Sequence, residues 1–254
     1  GTTQRRTRVW TLSTPDHRNA RGPEMYAAGI EAMSVAEGNP EVRSVVLAGE
    51  GAIFCAGGNL QRLRDNRQKP PEVQAQSIEG LHSWIEAIRA FPKPVIAAVE
   101  GAAAGAGFSL ALACDLIVAA EDAVFVMSYS NVALSPDGGA SWSLSHALPR
   151  QLATELLMCG ERIGAPRLHA LGVVNRTAAR GEALHVALAL AEQINDRAPN
   201  VLASIKDLIN DAPAARLSRQ LASEREHVAR TLHHPNAQAG IPPAPTKPKP
   251  PTNE

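Results

Sequence analysis

Aromatic residues are scarce in this 254-residue chain, at 4% of the composition, and net charge is absent, with 25 basic residues against 25 acidic ones. Few aromatics leave few platforms on which single-stranded bases could stack. A neutral balance lacks the basic surplus of a dedicated nucleic-acid binder. Together the two absences argue against nucleic acid as a partner. Cysteine is equally sparse: Cys55, Cys114 and Cys159 are odd in number, widely spaced and outside any C-x-x-C pair. They imply no disulfide framework, and the expected compartment is reducing and cytoplasmic. No apolar run reaches the roughly 18 residues that cross a bilayer, so no membrane partner is expected. His233 and His234 are adjacent, point apart and have no Cys or Asp cluster beside them, so no metal site is expected.

What is present is ordinary for a globular protein: 44% hydrophobic and 20% charged residues, in a chain long enough for a substantial core. The first half alternates between short apolar runs and longer amphipathic ones. Strands are expected over 8–13, 42–48, 94–99, 116–119 and 124–127, and helices over 23–38, 60–65, 72–90 and 106–114. Within 72–90, Ile78, Leu81, Trp84, Ile85 and Ile88 recur at helical spacing. This order is that of an α/β core with parallel or crossover connections. From residue 140 onward only helices are expected, over 141–147, 151–159, 183–196, 201–210 and 214–231, apart from a short apolar piece at 172–174. Residues 240–254 hold six prolines and no aromatic, the composition of an extended or disordered tail.

Two segments have too few side chains to be ordinary connections. Residues 101–115 read Gly-Ala-Ala-Ala-Gly-Ala-Gly-Phe-Ser-Leu-Ala-Leu-Ala-Cys-Asp and join a buried strand to a helix that is apolar on every face. Nothing larger than a methyl group stands between Gly101 and Gly107, so a ligand can approach main-chain N–H groups at a helix N-terminus. Residues 54–60, Phe-Cys-Ala-Gly-Gly-Asn-Leu, repeat the pattern after a second buried strand. Both can be tight turns and no more. Alternatively, two rigid loops can each aim one N–H at a developing oxyanion.

These two segments, with Lys-Pro-Val-Ile-Ala-Ala-Val-Glu-Gly at 93–101, resemble the enoyl-CoA hydratase/isomerase (crotonase) superfamily. The resemblance covers roughly residues 9–234. It includes Pro15-Asp16-His17-Arg18-Asn19-Ala20, Pro136-Asp137-Gly138-Gly139, Leu148-Pro149-Arg150, and Gly160-Glu161-Arg162-Ile163 leading to 170–174. It implies a crotonase-like α/β fold of repeated ββα units with a C-terminal helical region. Core, helical oligomerisation region and tail then correspond to residues 1–199, 200–239 and 240–254. It also implies an acyl-CoA thioester as substrate, with coenzyme A entering only as part of that substrate and no permanently bound cofactor. The expected assembly is a homotrimer or a dimer of trimers. The motif pattern is further similar to members linked to degradation of ring-opened aromatic acyl-CoA.

Matched residue by residue, the resemblance puts the two oxyanion donors at the N–H groups of Gly58 and Ala106. Removal of one such donor typically costs about 3–4 kcal/mol of transition-state stabilisation. Arg18, Asn19 and Ala20, with Ala56 and Gly57, fall near the nucleotide end of coenzyme A. Gly105, Ser109 and Tyr129 border the acyl group, and Lys247 and Lys249 in the tail are candidates for phosphate contact. Ser109 and Tyr129 also occupy the two positions at which family hydratases carry glutamates. Hydration needs one group to activate water and another to protonate carbon, and neither a serine nor a tyrosine replaces a carboxylate there. Asp137 resembles the single acid/base carboxylate of isomerase members. Its other reading is a helix cap in a Pro-Asp-Gly-Gly turn.

Two further chemistries are imitated. Gly107-Phe108-Ser109-Leu110-Ala111 approximates a nucleophile elbow, with Asp137 and His146 or His169 downstream. The serine, however, comes ten residues after Val99, inside an apolar helix, where packing is the expected role. The G-x-x-x-G-x-G spacing does not fit a dinucleotide fingerprint. The expected activity is double-bond isomerisation of an acyl-CoA. Hydration, thioester hydrolysis and binding without turnover are the alternatives.

Overall fold

The computed structural model describes residues 1–14, 18–20 and 22–240, the side chain of Ala239 apart. Pro15, Asp16 and His17 of the first signature, and the tail beyond residue 240 with Lys247 and Lys249, lie outside the described residues.

Strands β1 (Thr2–Gln4), β2 (Thr7–Leu12), β3 (Ser44–Gly49), β4 (Val95–Val99), β6 (Leu116–Ala120) and β9 (Arg176–Ala178) form one sheet in the order β1-β2-β3-β4-β6-β9. Only the β1–β2 pair is antiparallel. Strands β3 and β4 are buried throughout nearly their whole length, as parallel strands covered on both faces must be. Their side chains divide by the period of two. Val45, Leu47, Val95, Ala97 and Val99 enter the main core, while Val46, Ala48, Ile96 and Ala98 meet a second layer under helix α8 (Ala183–Asn195). Ala183, Ala187 and Ala191, one helical turn apart, let α8 lie close against that face.

The main core is closed by α1 (Pro23–Glu37), α3 (Pro71–Ala90), α4 (Ala106–Ala113), α5 (Ala140–Ala147) and α6 (Arg150–Cys159). A smaller sheet of β5 (Ala102–Ala104), β7 (Val124–Val126) and β8 (Arg162–Gly164) completes it, in the order β5-β7-β8. Thus β4-β5-α4 and β6-β7-α5 are strand-strand-helix units whose first strand joins the large sheet and second the small one. This is the repeated ββα pattern expected. Cys55 makes a lone parallel bridge to Ala103, so the loop after β3 is held by the same small sheet.

The structure corrects three local expectations. Residues 102–104, read as turn, form β5. The helix-only second half contains β8, α7 (Ala165–Ala170) and β9. Finally, the apolar piece at 172–174, excepted from the helices, pairs with no strand among the described residues. Val174 plugs the core, and the sheet edge is taken two residues later, where Val118 pairs with Arg176.

Beyond α8, helix α9 (Pro199–Asp211) is fastened to the core by Lys206. Its buried ammonium donates to Ile88 O (2.9 Å) and to Asp115 Oδ2 (2.9 Å), the same carboxylate oxygen that accepts from Val95 N (2.7 Å). Helices α10 (Leu217–Leu232) and α11 (Pro235–Gly240) follow, so Gly240, expected to open the tail, ends a helix.

Candidate active site

The two side-chain-poor loops are bonded to one another through their backbones. Phe54 N donates to Glu100 O (2.9 Å), Cys55 N to Ala102 O (3.1 Å), and Ala104 N to Cys55 O (2.9 Å). Such approach leaves no room for side chains. A Cβ on Gly107 would lie 2.3 Å from Cys55 O, and one on Gly57, at φ +93°, would lie 2.6 Å from Ala104 O and 3.6 Å from Ala106 N. Gly105 caps α4 with φ +49°, so that Phe108 N and Ser109 N both donate to its carbonyl. Ala106 is the first residue of the helix, where an N–H has no partner one turn back. Gly58, by contrast, faces space: nothing comes nearer to its Cβ position than Leu63 Cδ1 at 3.8 Å.

That space is a cavity of about 670 Å³ between the two loops, helix α2 (Leu60–Asn66), helix α3 and the 128–141 segment. Of the expected site residues, Ala56, Gly57, Gly58, Gly105, Ala106, Tyr129 and Asp137 all line it. Leu60, Leu63, Ile78, Leu81, Val132 and Leu134 supply apolar wall. The N-terminus of α4, with its positive dipole end, opens there.

Asp137 is half-buried, and its carboxylate is held: Tyr129 Oη donates to Oδ1 at 2.6 Å. Ser109, fully buried, donates from Oγ to the Asp137 carbonyl at 3.1 Å and lies 3.2 Å from Tyr129 Oη. Ser109 and Tyr129 are therefore one hydrogen-bonded group with Asp137. The cap reading of Asp137 does not hold. The N-cap of α5 is Gly139, with no side-chain cap bond, and only the Asp137 carbonyl serves the helix, accepting from Ala140 N at 3.2 Å.

Other expected residues lie apart from the cavity. Ser109 does not line it, because the Asp137 turn closes over it: a Cβ on Gly138 would sit 2.9 Å from Ser109 Cβ. Asn19 is buried and fully engaged, donating to Glu50 O (2.9 Å) and Ile53 O (2.8 Å) and accepting from Thr14 N (3.1 Å). It braces the first loop, and its backbone N–H is engaged as well, donating to Thr14 O at 3.0 Å. Exposed Arg18 at φ +52° and half-buried Ala20 flank it. Arg18 O accepts from Ala56 N (3.1 Å), and Cys55 Sγ bonds both Asn19 O (3.1 Å) and Gly57 N (3.4 Å). The Arg18 segment is thus attached to the mouth of the Gly58 loop.

Neither triad histidine reaches Ser109. His146 Nδ1 bonds Trp142 O and His169 Nδ1 bonds Val174 O, so no hydrolase triad forms among the described residues. Burial pushes the Cys114 thiol far above its usual range, which removes it as a nucleophile. A titratable cavity residue, His82, escaped the sequence reading. His82, on α3, accepts from Gly138 N at 3.3 Å through Nε2, beside the Asp137 turn. Its signal was a histidine at the edge of the Ile78–Leu81–Ile85 stripe.

A family model described as enoyl-CoA hydratase/isomerase matches residues 3–248. The chain is 33% identical over 218 residues to 1,2-epoxyphenylacetyl-CoA isomerase of Escherichia coli, covering 85% of this chain and 83% of that protein. Among solved structures, an enoyl-CoA hydratase from Polaromonas sp. JS666 shares 68% identity with a TM-score of 0.94, over 94% of this chain and 93% of the other. An enoyl-CoA hydratase from Mycobacterium smegmatis superposes with a TM-score of 0.88 at 31% identity, over 94% and 92% of the two chains. The chain has the crotonase fold and belongs to the enoyl-CoA hydratase/isomerase family.

Proposed function

We propose that this acyl-CoA enzyme moves a double bond along an enoyl-CoA, with Asp137 carrying the proton. The thioester carbonyl sits between Gly58 N–H and Ala106 N–H. The Asp137 carboxylate removes a proton from one acyl carbon, and the electron pair left behind is delocalised onto the thioester oxygen as an enolate. The enolate charge is stabilised by donors already in place and by the N-terminus of α4. Asp137, now a carboxylic acid, returns the proton to a second carbon, so one group completes the cycle and no water is consumed. Tyr129 holds Oδ1 and leaves Oδ2 to handle the proton. The observation that carries this reading is the 2.6 Å bond from Tyr129 to Asp137 in the cavity that Gly58 and Ala106 line. It leaves a single carboxylate poised where a hydratase would need two.

The same reading has Arg18, Asn19 and Ala20, with Ala56 and Gly57, receive the nucleotide end of coenzyme A, and the acyl group pass Gly105 and Tyr129, with Ser109 behind the Asp137 turn. It carries no bound cofactor. It takes residues 200–239 as the contact of a homotrimer or dimer of trimers. The free thiols of Cys55, Cys114 and Cys159 fit a reducing, cytoplasmic setting. A second reading, hydration, draws on the 68% identity to a structure described as an enoyl-CoA hydratase. A 3-enoyl-CoA and a 2-enoyl-CoA, each incubated with the protein and with Asp137→Ala, separate the two. Isomerisation that disappears in the variant is expected. Hydration that persists in the variant sinks Asp137 as the base.

A further inference from the structure

The cavity of the proposed active site does not end at its own far wall. Leu60, Leu63, Gln74, Val132 and Leu134 also line a second cavity of about 510 Å³, so the two meet across a shared, mostly apolar partition. The remainder of the second cavity is unlike the first. Arg64, Arg67 and Lys69 line it, and no acidic side chain does so among the described residues. In a chain whose charges cancel, three cations around one small space are a local excess. None of the three forms an ion pair among the described residues. Lys69 is steadied instead by buried Asn66, whose Oδ1 accepts from Nζ (3.4 Å) while its Nδ2 donates to Gln74 Oε1 (2.8 Å).

Resting on the acyl-CoA reading of the first cavity, we propose that the second receives the far end of the acyl group, and that this end is a carboxylate. The acyl chain runs along α2, away from the oxyanion loop. Asn59, next to Gly58, caps the start of that helix, and Arg67 closes its end. At 1.5 Å per residue its seven residues span about 10 Å, the length of an extended chain of roughly eight carbons. The methylenes lie against Leu60, Leu63, Val132 and Leu134, and the terminal carboxylate meets guanidinium forks that match it in shape. The other anion such cations could meet is the phosphate of coenzyme A. The acyl-CoA reading assigns the nucleotide instead to the Arg18 segment, which is bonded to Ala56 N at the end of the loop away from α2.

Calorimetric titration with three probes tests this without requiring turnover: octanoyl-CoA, the mono-CoA thioester of octanedioic acid, and free coenzyme A. The two thioesters have equal chain length and differ only in a terminal methyl or carboxylate. The wild type is expected to bind the carboxylate-ended thioester at least fivefold more tightly at low salt, with the margin shrinking as salt screens the contact. The R64Q/R67Q/K69Q variant is expected to lose that margin while octanoyl-CoA and free coenzyme A change by less than twofold. Equal wild-type affinity for the two thioesters overturns the inference alone. Equal weakening of all three ligands in the variant also overturns it and assigns the cations to phosphate. Failure of every probe to bind overturns the acyl-CoA reading along with it.

Discussion

At the scale of single residues, the site turns on what Ser109 and Tyr129 cannot do and what they do instead. Neither carries a carboxylate, yet both bond to Asp137, by its carboxylate or its carbonyl. Ser109 is enclosed beneath the Gly138 turn, so the position has no volume for a carboxylate that reaches substrate. Ser109→Glu is therefore expected to gain no hydration activity and to lose about 3 kcal/mol or more of stability, read from chemical denaturation, because it buries a charge and displaces the turn. Hydration appearing in a stably folded variant would contradict the packing described. That Ser109 and Tyr129 carry no carboxylate, and that Asp137 is a candidate, were both legible in the sequence. The bond between Tyr129 and Asp137 was not, because a single turn of 3-10 helix (Ser130–Val132) and a loop separate the partners and only the fold determines that they meet. His82 was missed for a similar reason: a histidine beside an apolar helical stripe has no assigned neighbour until the 136–139 turn packs onto it.

At the scale of elements, the long apolar runs announced themselves and the short strands did not. Strands β3, β4 and β6 are buried on both faces and read as near-continuous Val, Ile, Leu and Ala. Helix α3 shows its core face by spacing alone. Strand β5 is three alanines between glycines, a sequence with no strand preference of its own. It is a strand because β7 and Cys55 offer it hydrogen bonds on both sides. That unreadable element is what positions the N-terminus of α4. The first residue of a helix tolerates proline, which has the right φ and lacks only an N–H that the helix does not use. Ala106→Pro is therefore expected to fold, as judged by circular dichroism and thermal melting, and to lose at least about 100-fold in kcat, the usual cost of an oxyanion donor. Unchanged kcat in a folded Ala106→Pro protein would remove Ala106 from the site.

At the scale of the whole molecule, the C-terminal helices leave an apolar surface uncovered. Leu217, Leu221, Val228 and Leu232 recur along one side of α10 and are all more than half exposed, and Ile209 on α9 is 66% exposed. So much exposed aliphatic surface on two consecutive helices is what the proposed trimer would cover. Leu221→Glu with Val228→Glu is expected to shift sedimentation from a trimer or hexamer to a monomer; an unchanged mass would place the contact elsewhere. The two sheets otherwise bring two backbone loops and the Asp137 carboxylate to the cavity of about 670 Å³. The central claim is that an acyl-CoA bound there loses and regains a carbon-bound proton through Asp137. Exchange of that proton for deuterium from the solvent, followed by mass spectrometry of a 3-enoyl-CoA incubated in heavy water, tests it most directly. Wild-type protein should exchange the proton, and Asp137→Asn, which keeps the size of the side chain, should slow the exchange by at least about 100-fold. Exchange at an equal rate in the two proteins would contradict the account.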